Sequence, residues 1–387
     1  MTHFDEEYIR LLRRILKEGI EVENRTGINT IKLPEHYFKF DLRKEFPILQ
    51  TKQMAYKNAI LEMLWIWQAC SNDVSWLQER GVNIWNEWMI DDDGIYRIYE
   101  PVTSNYDPNK EVVVLDPLSA SIKDPLAKMK PLEPKCDENG KVMTAKSLLP
   151  GKNIKTAKWY GKEYAHTIGT AYGFITNRYG YTEELIHTIK NMPTDRRMVY
   201  SLWQNEFLRT AVLPSCVWST EWNVWRDTLN LQVHQRSCDV PLGLPFNVTQ
   251  YATLLKMIAQ VTDLEPGIIS YSINEPHIYV NQLEGIKEQL RRVDTYEYLK
   301  DKSDLELLCE MRNNLLQMKY LNNESDKYKK LDSNNRIINM ILYPKKPNLE
   351  LDPNIKDFFD FDNSRDLSDI KVTNYKHMGK IKMPIAQ

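Results

Sequence analysis

Apolar and polar positions alternate along two segments in the middle of the chain, 212–225 and 228–235, on either side of Arg226-Asp227. Period-two alternation about a polar dipeptide predicts an antiparallel hairpin or a pair of adjacent strands. Pairing about that turn returns Arg236 to the side of Cys216, which follows Pro214-Ser215 near the start of the first strand. Pro245-Phe246-Asn247 then leads into an apolar helix over 252–261, and Pro266-Gly267 turns the chain.

Upstream, Tyr8, Ile9, Leu11, Leu12, Ile15 and Leu16 supply the apolar face of an amphipathic helix over 5–18, which Gly19 stops. Asn24-Arg25-Thr26-Gly27 reads as loop, and 30–42 alternates as strands. Residues 55–70 form a strongly apolar helix with one acidic residue, Glu62. A helix over 185–192 precedes a turn, Pro193-Thr194-Asp195, that carries Arg196-Arg197. Pro276-His277-Ile278-Tyr279 ends a strand-like run with His277 and Tyr279 on one face.

The pattern breaks twice. Over 91–165, prolines such as Pro101, Pro117 and Pro134 interrupt any long helix, and Asp91-Asp92-Asp93-Gly94 reads as a turn. A partly ordered surface excursion with a short strand at 111–115 is expected there. Residues 301–343 are polar and charged, with helical spacing in 305–309 and 311–321, and read as a second insertion or helical excursion.

Composition adds limits. A hydrophobic content of 42% with 10 Trp predicts a large buried core, and a net charge of −2 provides no global positive field for nucleic acid. Five scattered cysteines without a C-x-x-C fit a reducing cytoplasm rather than a disulfide scaffold. No signal-peptide pattern and no membrane-length apolar run is seen, so a soluble cytoplasmic protein is expected. The seven histidines have no ligand spacing, and no metal is expected.

Several residues admit two readings. A thiol attacks as thiolate, which a neighbouring guanidinium favours, so Cys216 beside Arg236 reads as a nucleophile or, blandly, as a core cysteine. Arg236 with Ser237 offers a planar fork plus a hydroxyl, a phosphate cradle, against a surface charge. Asn247 carries a donor and an acceptor side by side, which suits the carbonyl and ring N–H of a pyrimidine. Arg25 on its loop is free to reach a phosphate or to sit in solvent. Adjacent guanidiniums repel, so Arg196-Arg197 points to an anion. Glu62 either lies on an exposed stripe or is buried to organise water near a reacting carbonyl. Trp85 and Trp88 are core or a flat-ring platform, and His277 with Tyr279 a structural pair or a sugar-hydroxyl reader.

The stretch L-P-S-C-V, Q-R-S-C-D-V and L-G-L-P-F-N-V resembles the active-site core of thymidylate synthase. The likeness continues in order: N-R-T-G at 24–27, F-P-I-L-Q-T-K at 46–52, E-M-L-W-I-W at 62–67, N-I-W-N-E-W at 83–88, G-T-A-Y-G at 169–173, D-R-R at 195–197, P-H-I-Y at 276–279 and the terminal K-M-P-I-A-Q. It covers roughly 1–90, 166–295 and 370–387.

The resemblance implies an α+β fold, a large mixed sheet flanked by helices with a sheet face at a homodimer interface. It implies one domain over 1–387 with insertions at about 91–165 and about 300–345. It implies reductive methylation of dUMP by methylenetetrahydrofolate to dTMP and dihydrofolate. Cys216 then attacks C6 of uracil, Tyr172 and waters ordered by Glu62 assist loss of the C5 proton, and Arg236 serves the nucleophile and phosphate. Arg25 and Ser237 join it on the phosphate, with Arg196 and Arg197 given by the partner subunit. Asn247 reads the base, His277 and Tyr279 the ribose. Asp239 serves substrate and folate, Trp85 and Trp88 border the folate, and the tail ending in Gln387 covers it.

Three departures stand out: Val217 after the nucleophile, Asn274-Glu275 before His277's motif, and terminal Gln387 in place of Val. A tail that excludes water poorly would let water finish the reaction. The alternative is therefore a dUMP hydroxymethylase, with a non-catalytic nucleotide- or RNA-binding relative as a third reading.

Overall fold

The computed structural model describes residues 1–24, 26–100, 105–119 and 131–385. Two compact units form, one of Met1–Met63, Glu184–Tyr200 and Cys216–Gln387, the other of Leu64–Glu183 and Ser201–Ser215. Helices and mixed sheets together make the class α+β, as expected from the sequence.

A five-stranded sheet centres the first unit, in the order Glu35–Asp41, Glu265–Asn274, Thr228–Gln235, Val217–Trp225, Val199–Ser201. The expected hairpin is its middle: Trp225 pairs with Thr228, which leaves Arg226-Asp227 as a two-residue turn. Arg226 has φ +59°, the left-handed conformation that matches such a turn to the twist of its strands. Glu265–Asn274 lies parallel to Thr228–Gln235, so a crossover must connect them, and helix Gly243–Val261 supplies it.

That crossover corrects two sequence expectations. The helix starts at Gly243 rather than at 252 and takes in Pro245, because the first-turn N–H that proline lacks has no carbonyl partner anyway. Pro266-Gly267 does not turn the chain but opens the parallel strand. A side chain at Gly267 would put its Cβ 2.4 Å from Asn230 Oδ1, which accepts from Ile268 N–H at 2.8 Å.

The amino-terminal helix spans His3–Glu18. Thr2 caps it: the hydroxyl accepts from Asp5 N–H at 3.1 Å, and Asp5 returns a bond to Thr2 N–H at 3.0 Å. Phe4, Tyr8, Ile9, Leu11, Leu12 and Ile15 are buried, whereas Leu16, assigned to the same face from the sequence, is 40% exposed at the stripe's edge. A smaller sheet runs Ile20–Val22, Thr30–Lys32, Pro276–Tyr279, Cys238–Asp239, the last two strands in parallel. Helix 55–70 of the sequence reading is Tyr56–Trp67.

Residues 301–343 are helical. Asp304–Met318 and Asp326–Leu342 bury Leu307, Ile337, Ile338 and Met340 against Leu299 and Met378, a core of their own. Burying such side chains is worth roughly 1.5–3 kcal/mol each.

In the second unit, the excursion expected over 91–165 carries a five-stranded sheet among its described residues. Its order is Ile95–Tyr99, Ile154–Trp159, Glu111–Asp116, Glu133–Pro134, and Thr144–Lys146 also pairs with Glu111–Asp116. Ile95, Val114, Ala145, Ile154 and Ala157 are buried together beneath it. The expected strand at 111–115 is therefore present with four companions. Among the described residues, no helix is long and apolar enough to cross a membrane.

Candidate active site

The hairpin register sets the position of the thiol. Val217 pairs with Gln235, and the next pair outward joins Cys216 C=O to Arg236 N–H at 2.9 Å. A bulge between Val217 and Ser219 kinks the strand there. Arg236 Nη2 lies 3.9 Å from Cys216 Sγ, with the sulfur half-buried. The sequence reading that brings the pair together holds. Ser237 follows directly, and its carbonyl accepts from Gln235 Nε2 at 3.2 Å. The neighbouring Cys238 is buried, and burial pushes its thiol well above the usual range, so it is no competing nucleophile.

Asn247 stands in the first turns of the crossover helix inside a chain of amides. Gln235 Nε2 donates to Asn247 Oδ1 at 3.0 Å. Asn247 Nδ2 donates to Gln250 Oε1 at 3.1 Å, and Gln250 Nε2 donates to Glu62 Oε2 at 2.5 Å. Tyr271 OH fixes the backbone by donating to Asn247 C=O at 2.6 Å. A carboxylate only accepts, so Glu62 orients Gln250, and Gln250 orients Asn247. Each end of the Asn247 amide keeps one free valence among the described residues: a lone pair on Oδ1 and an N–H on Nδ2. That polarity matches a ring N–H beside a carbonyl, as in uracil. Cytosine, with a bare ring nitrogen beside an amino group, needs the reversed amide.

Asp239 pairs in register with His277, whose Nδ1 lies 3.0 Å from Glu275 C=O. His277 and Tyr279 share one face, ring centroids 5.2 Å apart at 89°. Burial raises the Asp239 carboxyl above the usual range, opposed by Gln282, Leu242 N–H and the charges of His277 and Lys52. Lys52 is buried, donates to Pro241 C=O, and is lowered by burial to about 8 against the pull of Asp239.

The second unit holds an aromatic cluster. The Trp85 ring stands edge-on to Trp88 (5.6 Å, 66°) and to Tyr172 (5.6 Å, 63°), and Trp65 lies 6.0 Å from it. Trp85 is buried, as the core reading expects, and Trp88 is half-buried. Tyr172 has φ +49°, a conformation rare and costly for a bulky residue. Gly173 permits it, since a Cβ there would lie 1.8 Å from Ser71 C=O.

Arg197 is exposed, and Asp195 holds it through two bonds of 2.9 Å. Arg196 is exposed and makes no ion pair among the described residues. Arg25 and Gln387 lie outside the described residues. Gln235, Gln250, Gln282 and Lys52 escaped the sequence reading; a polar residue in an apolar helix, as Gln250 is, was the available signal.

The thymidylate synthase family profile matches residues 6–335. The thymidylate synthase of Clostridium beijerinckii is 31% identical over 386 residues, covering all of both chains. That of Mycoplasma mobile is 33% identical over 287 residues, 74% of this chain and 85% of that protein. The solved thermostable thymidylate synthase A from Bacillus subtilis aligns over the whole of both chains with a TM-score of 0.62 at 27% identity. Against these likenesses the hydroxymethylase alternative is not favoured. A paired thiol and guanidinium, an amide of uracil polarity and end-to-end likeness converge, and the chain belongs to the thymidylate synthase family.

Proposed function

We propose that the chain methylates dUMP reductively, giving dTMP and dihydrofolate, and that the described residues take the roles their motifs imply. The polarity of the Asn247 amide carries the choice of base. Cys216 bonds through sulfur to C6 of the uracil, the displaced electron pair moves onto O4, and C5 becomes nucleophilic. Asn247 N–H steadies the O4 charge as it forms, and covalent attack divides a difficult substitution into easier steps. Tyr172 and waters ordered by Glu62 carry away the C5 proton, and sulfur leaves C6 to restore the ring. Arg236 and Ser237, with Arg25, hold the phosphate; His277 and Tyr279 hold the ribose.

In the first unit the enclosed Asp239 carboxyl suits an N–H donor, and in the second the Trp85–Trp88 pair suits a flat ring. Methylenetetrahydrofolate, when bound, supplies the one-carbon unit and the hydride. Glu62, Asp239, Trp85 and Trp88 would hold it under the tail that ends in Gln387.

A homodimer fits the sheet. Tyr37, Val199, Trp218 and Trp225 are 52%, 51%, 37% and 57% exposed, more apolar surface than a lone chain needs to show. Arg196 and Arg197 would cross that interface to the partner's phosphate. We also keep the reading of one domain carrying two insertions, working in the cytoplasm without a metal.

Purified protein mixed with dUMP and methylenetetrahydrofolate tests this. Dihydrofolate is followed by absorbance and the nucleotide by mass. Dihydrofolate with dTMP is expected; hydroxymethyl-dUMP without dihydrofolate would replace the synthase reading.

A further inference from the structure

Gln282 has no role in the readings above, yet it joins three parts of the site. It is fully buried. Its Oε1 accepts from Tyr279 N–H at 3.0 Å. Its Nε2 donates to both Asp239 oxygens, at 3.3 and 3.1 Å, and to Pro384 C=O in the carboxy-terminal tail at 3.4 Å. One amide thus touches the backbone of the ribose reader, the carboxylate assigned to the folate and the tail assigned to cover it.

The tail is otherwise held at its root. Arg292 donates to Met378 and Gly379 C=O at 2.9 Å each and to Lys380 C=O at 3.3 Å. Beyond Lys380, Met383 lies against Gly285, where a Cβ would come within 2.7 Å of it. Lys380, Lys382, Pro384 and Ile385 are exposed, and Ile381 and Met383 against Gly285, with one shared amide, help hold the final described stretch down. An NH₂ group has two hydrogens, and here both are spent, one on Asp239 and one on the tail. Any shift of the Asp239 carboxylate therefore moves the donor on which Pro384 rests.

We propose that Gln282 is a positioning residue that latches the carboxy-terminal tail to Asp239, so that the closed tail and the oriented carboxylate depend on one another. The inference rests on the proposed roles of Asp239 and the tail. With the latch lost, the tail opens while Cys216 and Asn247 stay intact. Once the one-carbon unit has passed to C5 and the folate nitrogen has let go of it, C5 carries a methylene. Water then adds there, oxygen bonding to that carbon, a proton leaving and the π pair passing to O4, whose return expels the Cys216 sulfur from C6. Hydride on the same carbon would have given methyl.

Two variants of the full chain test this. Gln282→Leu removes its bonds to all three groups; Gln282→Glu keeps the acceptor for Tyr279 N–H and sets an oxygen against Asp239 and Pro384 C=O. In the free protein, tryptic cleavage after Lys380 and Lys382 is expected to rise about fivefold, the loss of one neutral hydrogen bond to the tail. Cleavage at sites remote from the tail should not change. With both substrates, KM for methylenetetrahydrofolate should rise more than KM for dUMP, and hydroxymethyl-dUMP should appear. Unchanged tail cleavage in both variants, or an equal rise at every site, overturns the latch. A parent protein that forms no dTMP would remove the functional reading instead, while the cleavage comparison still decides the latch.

Discussion

Gln250 Nε2 donates to Glu62 Oε2 across 2.5 Å, and the same side chain accepts from Asn247 at its other end. The polarity of the Asn247 amide, the proposed base reader, is therefore supported by a carboxylate one residue removed from it, together with Gln235 Nε2 on Oδ1. Gln250→Leu leaves Asn247 Nδ2 short of a buried partner and loosens an amide that Gln235 Nε2 still holds at Oδ1, at roughly 1–3 kcal/mol. Affinity for dUMP should fall about tenfold, and preference for dUMP over dCMP should shrink. Equilibrium binding of both nucleotides measures it; a selectivity equal to the parent's would sink the relay.

The reach of the sequence follows from separation along the chain. Cys216 and Arg236 are 20 positions apart, but a two-residue turn with alternating flanks fixes their register, so their approach was legible. Glu62 and Gln250 are 188 positions apart, and neither helix encodes the other's rotation. The sheet within 91–165 went unseen for another reason. Its strands are short and mixed in polarity, and Ile95–Tyr99 buries Arg97, which pairs with Asp91 and hides the apolar alternation of a half-buried strand. Pro266-Gly267 carried a turn signal, which the parallel pairing with Thr228–Gln235 overrode.

Cys216→Ser replaces the sulfur with a weak nucleophile in the same hairpin geometry. Turnover should fall by at least about a thousandfold while dUMP still binds, because the proposed phosphate and base contacts are assigned to other residues. Protein–nucleotide adduct captured by denaturing mass spectrometry should disappear. A surviving adduct would place the nucleophile elsewhere.

Gly173 follows a tyrosine at φ +49° and has no room for a methyl group, with Ser71 C=O 1.8 Å from an ideal Cβ. Gly173→Ala forces the backbone apart under Tyr172 and should cost roughly 1–3 kcal/mol in urea unfolding. It should also lower kcat through displacement of Tyr172. A variant of parental stability would mean that the loop at Ser71 yields freely.

Acid should weaken the fold through two histidines. Burial lowers His36 and His377 from 6.5 to about 4, aided by Arg14 beside the first and Arg336 beside the second. Between those values the unfolded chain binds protons that the folded chain refuses, so stability is present above pH 6.5 and is lost as pH falls towards 4. His377 also accepts from Gly379 N–H at 3.1 Å, so its protonation loosens the root of the tail. Urea midpoints taken across this window should decline, and His36→Gln should decline less steeply. Parallel slopes for parent and variant would remove His36 from the account.

Arg292 decides whether the tail has a fixed root at all. Arg292 is 5% exposed, and Glu288 orients its guanidinium through Oε1 at 2.7 Å, leaving Nη1 and Nη2 for three backbone carbonyls. A lysine ammonium is a point donor without the planar fork, so it cannot keep Glu288 and three carbonyls together. Arg292→Lys should therefore cost about 2 kcal/mol in urea unfolding, the scale of a charged hydrogen bond lost from a buried site. The Leu299–Ile338–Met378 cluster depends on the same segment, so heat should release the helical excursion earlier than in the parent. Hydrogen exchange resolves the order: residues 378–380 should exchange first in the variant, then helix Asp326–Leu342. Exchange that begins in the central sheet instead would show that Arg292 stabilises the whole unit and does not act as a root for the tail.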